Sequence, residues 1–94
     1  MVFAVMYKID ASKKDYSGLY ERIKSLGLWM HYLDSSWLVS PDALKTVEQV
    51  YDMLIPFIAG ETDYLLVIEV KRNWYGWLPK DAREWLEGRR YESE

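Results

Sequence analysis

The stretch Leu28–Ser40, LWMHYLDSSWLVS, reads as two short strands back to back. Aromatic, aliphatic and β-branched residues fill both arms, and Asp34-Ser35-Ser36 supplies the turn chemistry between them. Trp29, His31 and Leu33 fall on one face of the first arm, and Leu28, Met30 and Tyr32 on the other. Working outward, each arm is flanked by one helical pattern, and beyond each helix lies one more strand.

Upstream, Val2–Asp10 alternates. Phe3, Val5, Tyr7 and Ile9 share one face, and Val2, Ala4, Met6 and Lys8 share the other. Both faces are largely apolar, as in a central strand covered on both sides. Asp15 is placed to cap a helix running to about Leu26, with Tyr16, Leu19, Tyr20, Ile23 and Leu26 as its buried stripe and Gly27 as its stop. Downstream, Ser40-Pro41-Asp42 reads as the start of a second helix. Its apolar face is Leu44, Val47, Val50, Tyr51, Leu54, Ile55 and Ile58, and Pro56 predicts an end or kink near Ile55. Tyr64–Lys71 is the last strand, apolar on both faces apart from Glu69. Asn73–Trp77 reads as irregular or as a further edge strand. Pro79 starts a short helix stopped at Gly88, and Arg89–Glu94 is expected to be a frayed polar tail.

The order strand–helix–strand–strand–helix–strand predicts an α+β fold of the ferredoxin-like βαββαβ type, with helices on one face of an antiparallel sheet in order 4-1-3-2. Residues 1–71 form the predicted core. Residues 72–94 form an extension that packs on the sheet or on a dimer partner. Asp10, Asp34, Ser35, Ser36, Glu61 and Asp63 are then expected along one rim. The second apolar face of the sheet needs a cover, and a homodimer is the simplest one.

With 94 residues there is room for one domain. Five Trp and eight Tyr are a heavy load of large rings, more than a small core needs, which suggests surface that wants a partner. No run approaches the roughly 20 apolar residues of a membrane span. The start MVFAVMYKID lacks the pattern of a signal peptide. The absence of Cys makes a cytoplasmic setting the default expectation. A net charge of −3 argues against coating nucleic acid by bulk electrostatics, though not against a local basic patch. The chain carries no glycine-rich phosphate loop and no HExxH motif.

Three segments, YKID at residues 7–10, DYSGLYERIKSLG at 15–27 and WMHYLDSSWLV at 29–39, resemble the small bacterial and phage proteins labelled SinR family. These are similar in turn to the small subunit of the CRISPR adaptation complex and to VapD-type ribonucleases. The resemblance covers about residues 2 to 71 and has nothing to do with the helix-turn-helix repressor of the same name. It implies a ferredoxin-like homodimer. In the CRISPR and VapD relatives an Asp ending the first strand is associated with metal-dependent phosphodiester cleavage, and Asp10 is the matching position. No second catalytic group stands in a matching motif. In CRISPR adaptation complexes the small subunit is often a bridge that binds DNA without cutting it.

Asp10 is accordingly the candidate catalytic and metal residue. A strand-end carboxylate can hold Mg²⁺, with waters and substrate phosphates completing the shell, or it can cap its own loop. Asp34, Ser35 and Ser36 are candidate contributors at the same rim, and also ordinary turn residues. His31 can serve as a base or as a packed side chain. Lys13, Lys14 and Arg72, with Arg89 and Arg90, are candidate phosphate contacts. Trp74, Tyr75 and Trp77 can stack on bases or cover the sheet. Two functions follow as expectations. One is a nucleic-acid-associated homodimer, either a weak Mg²⁺-dependent endonuclease or a non-cutting binder. The other is a protein-interaction module, such as a phage or mobile-element factor docking on a host protein. The acidic charge favours the second, and the strand-end Asp favours the first.

Overall fold

Alternation in Val2–Lys8 produces the central strand β1, and its two apolar faces are used differently. Phe3, Val5 and Tyr7 enter the main core, while Val2 and Ala4 are buried on the opposite face. The computed structural model describes residues 1–91. The remaining elements are α1 (Ser17–Lys24), β2 (Gly27–Leu33), β3 (Ser36–Pro41), α2 (Val47–Leu54), β4 (Tyr64–Val70) and α3 (Lys80–Glu87). The four strands form one antiparallel sheet in the order β2-β3-β1-β4, which is 4-1-3-2 read from the other edge. This is the ferredoxin-like arrangement that the order of patterns predicts. None of the helices among the described residues is long and apolar enough to cross a membrane.

On the helix face, Leu19, Ile23 and Leu26 meet Val50 and Leu54 over Phe3, Val5, Trp37 and Val39. Helix α1 is shorter than its stripe suggests. Asp15 Oδ1 accepts from Ser17 N at 2.9 Å, but Tyr16, not Asp15, occupies the cap position. Gly18 lies where a Cβ would meet the Phe57 ring at 3.1 Å, so the missing side chain lets α1 approach. Gly27, at φ 156°, has no room at all: a Cβ there would sit 2.3 Å from the Ser40 carbonyl oxygen.

Ser40-Pro41 does not start a helix. Both residues belong to β3, where Pro41 pairs with Gly27 at the strand end and Ser40 Oγ donates to the Met1 carbonyl at 3.0 Å. Proline tolerates that place because a terminal strand position needs no N–H. Helix α2 begins six residues later with a capping box. Thr46 Oγ1 accepts from Gln49 N at 3.1 Å, and Gln49 Oε1 accepts from Thr46 N at 2.8 Å. It ends at Leu54, and Pro56 lies in the 3-10 turn Ile55–Phe57 that follows.

The C-terminal part packs on the second sheet face over β2 and β3. Ala82 and Leu86 of α3 pack with Met30, and Leu38, Trp74, Leu78 and Trp85 pack around them. No strand forms between Asn73 and Trp77. Tyr91 is not frayed: it is buried, and its hydroxyl donates to the Leu86 carbonyl at 2.6 Å. The last three residues of the expected polar tail, 92–94, lie outside the described residues.

Candidate functional site

Two regions gather chemistry beyond the needs of the core: the rim where β1 ends, and the edge formed by β4.

At the rim, Lys8, Asp10, Lys13, Lys14, Tyr16, Ala59 and Thr62 line a cavity of about 430 Å³. Asp10 Oδ1 accepts from Ser12 N at 3.1 Å and from Ser12 Oγ at 2.5 Å, and Oδ2 faces Lys13 Nζ at 3.8 Å. These are the contacts of a carboxylate that organises its own turn. Among the described residues no group of three or more His, Asp or Glu side chains comes together to hold a metal ion. Asp10 by itself would offer Mg²⁺ one carboxylate, with Oδ1 engaged by Ser12 and Oδ2 facing only Lys13 at 3.8 Å, so waters and substrate phosphates would have to complete the shell.

Lys14 reaches the Phe57 carbonyl at 3.5 Å and lies over the Tyr16 ring, while Lys8 lies over the Tyr64 ring. Asp34 and Ser35 form the two-residue turn between β2 and β3. The Ser35 carbonyl accepts from Tyr7 N at 3.1 Å, so this turn does sit beside the end of β1, but it does not line the lysine cavity. Glu61 is an exposed loop residue. Arg72 is elsewhere. Lys8 pairs with Tyr64 and Val2 with Val70, so Arg72 follows the far end of β4, roughly 20 Å from the rim for a seven-residue strand. There it donates to the Arg89 carbonyl at 2.8 Å and stacks on Tyr91. It fastens the tail.

His31 stacks on Trp37 with ring centroids 3.8 Å apart, and its Nε2–H donates to the Asp34 carbonyl at 2.9 Å. That bond braces the turn, and His31 lines a concavity with Trp29, Tyr32, Asp81 and Trp85. Trp74 packs in the cluster around α3, whereas Tyr75 and Trp77 are wholly exposed.

One pair was hidden from the sequence. The Tyr16 hydroxyl donates to Asp63 Oδ2 in a short buried hydrogen bond, and Ala59 N donates to the same oxygen at 2.9 Å. Asp63 is only 5% exposed. The Tyr16 hydroxyl, with help from Ala59 and Thr62, holds the Asp63 carboxyl below the ordinary carboxylate range. The same bond to Asp63 pushes the Tyr16 phenol up to about 12. Asp63 is thus a structural clasp between the start of α1 and the start of β4. It is not a rim ligand.

The β4 edge is the second region. Strand β4 pairs with β1 over seven residues without a register shift, and no other strand among the described residues pairs with its outer side. Alternate backbone N–H and C=O groups therefore point outward. Leu65 and Val67 face α2, while Tyr64, Leu66 and Ile68 lie on the opposite face and are exposed by 69%, 54% and 43%. A groove of about 430 Å³ runs between α2 and this strand, lined by Val47, Glu48, Tyr51, Asp52, Leu65, Leu66 and Val67. The other edge is protected. Strand β2 is interrupted between Met30 and Leu33 and contacts α3, with Tyr32 donating to Asp81. Bulges and covering helices are the usual defences of an edge strand, as are prolines and inward charges. Helix α2 packs on one face of strand β4, but the strand has no bulge and no proline, and its one charge, Glu69, pairs with Lys71 at 3.0 Å near its end.

Comparison of the chain with protein-family models, with curated proteins and with solved structures returned no match.

Proposed function

We propose that this protein is a non-enzymatic interaction module whose working surface is the open edge of its sheet. The observation that carries the reading is β4: seven residues, continuous register, apolar on both faces apart from Glu69, and unpaired on its outer side among the described residues. An exposed edge of that kind is an aggregation hazard unless a partner covers it. Strand addition gives such a surface affinity through main-chain hydrogen bonds and specificity through alternate side chains. A host or phage protein and a second copy of this chain are both able to supply the strand.

Site-specific photo-crosslinking in the native cell tests the reading. A crosslinker at Leu66 or Ile68 is expected to yield discrete adducts, and one at Glu21 on the far side of α1 is not. Equal labelling from all three positions would discard β4 as the working surface.

A second reading is supported by the lysine cavity. Lys8, Lys13 and Lys14 around one concavity form a local basic site on an acidic chain, suited to the phosphates of a nucleic acid bound without cleavage. In a gel-shift titration of labelled single-stranded RNA and DNA with Mg²⁺, Lys13→Glu with Lys14→Glu is expected to weaken binding at least about tenfold and to flatten its salt dependence. Asp10→Ala removes a negative charge from the same cavity and is expected not to weaken binding. Mg²⁺-dependent cleavage that disappears in Asp10→Ala would replace this reading with the endonuclease one.

A further inference from the structure

The groove between α2 and β4 has more character than an apolar slot. Its apolar lining is Val47 and Tyr51 of α2 with Leu65, Leu66 and Val67 of β4, and α2 adds the carboxylates of Glu48 and Asp52. Both carboxylates are on exposed residues, and neither forms an ion pair among the described residues. Asp10, Glu21, Glu69 and Glu84 pair in turn with Lys13, Lys24, Lys71 and Lys80. Asp15, Asp34, Asp42, Glu61, Asp81 and Glu87 are, like Glu48 and Asp52, exposed and in no ion pair among the described residues. What sets Glu48 and Asp52 apart is that they line the groove. Two acids one helical turn apart thus stand at an apolar groove beside an open strand edge.

The dimensions suit a strand. Four residues along a helix advance about 6 Å, and two residues along an extended chain advance about 6.8 Å. Alternate side chains of a strand added to β4 therefore keep pace with Glu48 and Asp52. Lys and Arg are the residues that use both parts of the groove, since their aliphatic stems cover apolar surface while their charged heads reach the carboxylates. The intervening side chains of the same strand point to the opposite face, beside Leu66 and Ile68, where apolar residues are wanted.

We propose that the α2–β4 groove takes an extended segment of another protein in which Lys or Arg alternates with apolar residues. The segment adds to the sheet along β4, its basic side chains lie under Glu48 and Asp52, and its apolar ones extend the patch of Leu66 and Ile68. This rests on the reading of β4 as the working edge and names the partner that the edge takes.

The test uses the full chain and three fluorescein-labelled heptapeptides. One alternates lysine with valine, and one alternates glutamate with valine. The third has the composition of the first with its lysines consecutive, to control for bulk charge. Fluorescence anisotropy is expected to show the alternating lysine peptide binding at least tenfold tighter than either of the others. Glu48→Lys with Asp52→Lys, both at exposed positions outside the core, is expected to invert the preference between lysine and glutamate peptides. Amide exchange of β4 is expected to slow only with the peptide that binds.

Four results would overturn the proposal. Equal binding of the lysine and glutamate peptides, with β4 exchange slowed by both, removes the basic partner and leaves the edge in place. Lysine-peptide binding that survives the charge reversal unchanged puts the contact somewhere other than this groove. A concentration-dependent doubling of mass that excludes all three peptides assigns the groove to a second copy of the chain. Failure of all three peptides, with crosslinks from Leu66 persisting in cells, also rejects the alternating basic segment while sparing the edge. Loss of those crosslinks takes the underlying reading with it.

Discussion

The stabilising contribution of the Tyr16–Asp63 clasp is expected to be full from about pH 4 to about pH 10 and to be lost on both sides. The signs follow from the two shifts. Asp63 is depressed in the folded state, chiefly by the Tyr16 hydrogen bond, so its contribution is present above the unfolded carboxyl value and fades as pH falls through the folded one. Tyr16 is raised to about 12, chiefly by Asp63, so its contribution is present below the unfolded phenol value of about 10 and is lost as pH rises through the folded value. The bond needs a protonated phenol and an ionised carboxylate, and only the window between provides both. Tyr16→Phe is expected to remove the alkaline limb and shrink the acid one, because Ala59 N and Thr62 Oγ1 still donate to Asp63. Asp63→Asn is expected to remove the acid limb. Urea midpoints followed by Trp fluorescence at several pH values read both effects as differences from the parent. Variants whose midpoints run parallel to the parent from pH 3 to pH 11 would rule out the clasp as a source of pH dependence.

How far the sequence revealed this arrangement depended on the range of the interaction. Periodicity is local, and it correctly marked β1, the stripe of α1, the arms of the hairpin, β4 and α3. Element order then led to 4-1-3-2. Ser40-Pro41 misled because a cap signal is also local, whereas the pairing of Pro41 with Gly27 across the sheet is not. The true start, Thr46 with Gln49, carries a capping-box pattern, and the stronger proline signal upstream masked it. Tyr16 and Asp63 lie 47 residues apart, so no window along the chain could join them. Tyr16 read correctly as buried, although it caps α1 instead of lying within it, and Asp63 was expected along the rim, whereas it is buried. Only the folded chain makes them one hydrogen bond.

Asp10, the residue singled out for chemistry, became the organiser of its own turn through Ser12. Arg72 was separated from Lys13 and Lys14 because strand length, invisible to a charge count, puts it at the opposite end of β4. The edge itself was legible in outline. Order 4-1-3-2 puts the fourth strand outermost, and YLLVIEV is apolar on both faces, a pattern suited to a covered strand. That conflict between position and composition is the sequence signal for a partner, and it becomes visible only when topology and pattern are set side by side.

Amide hydrogen exchange on the dilute free chain probes the open edge most directly. Between Leu65 and Val70, alternate amides face β1 and the rest face outward. The inward set is expected to be protected on the order of 10³-fold or more, as in a core strand, and the outward set to exchange close to the rate of an unstructured chain. Uniform protection of all β4 amides, persisting at the lowest concentration measured, would contradict the open edge and with it the interaction surface assigned to this protein.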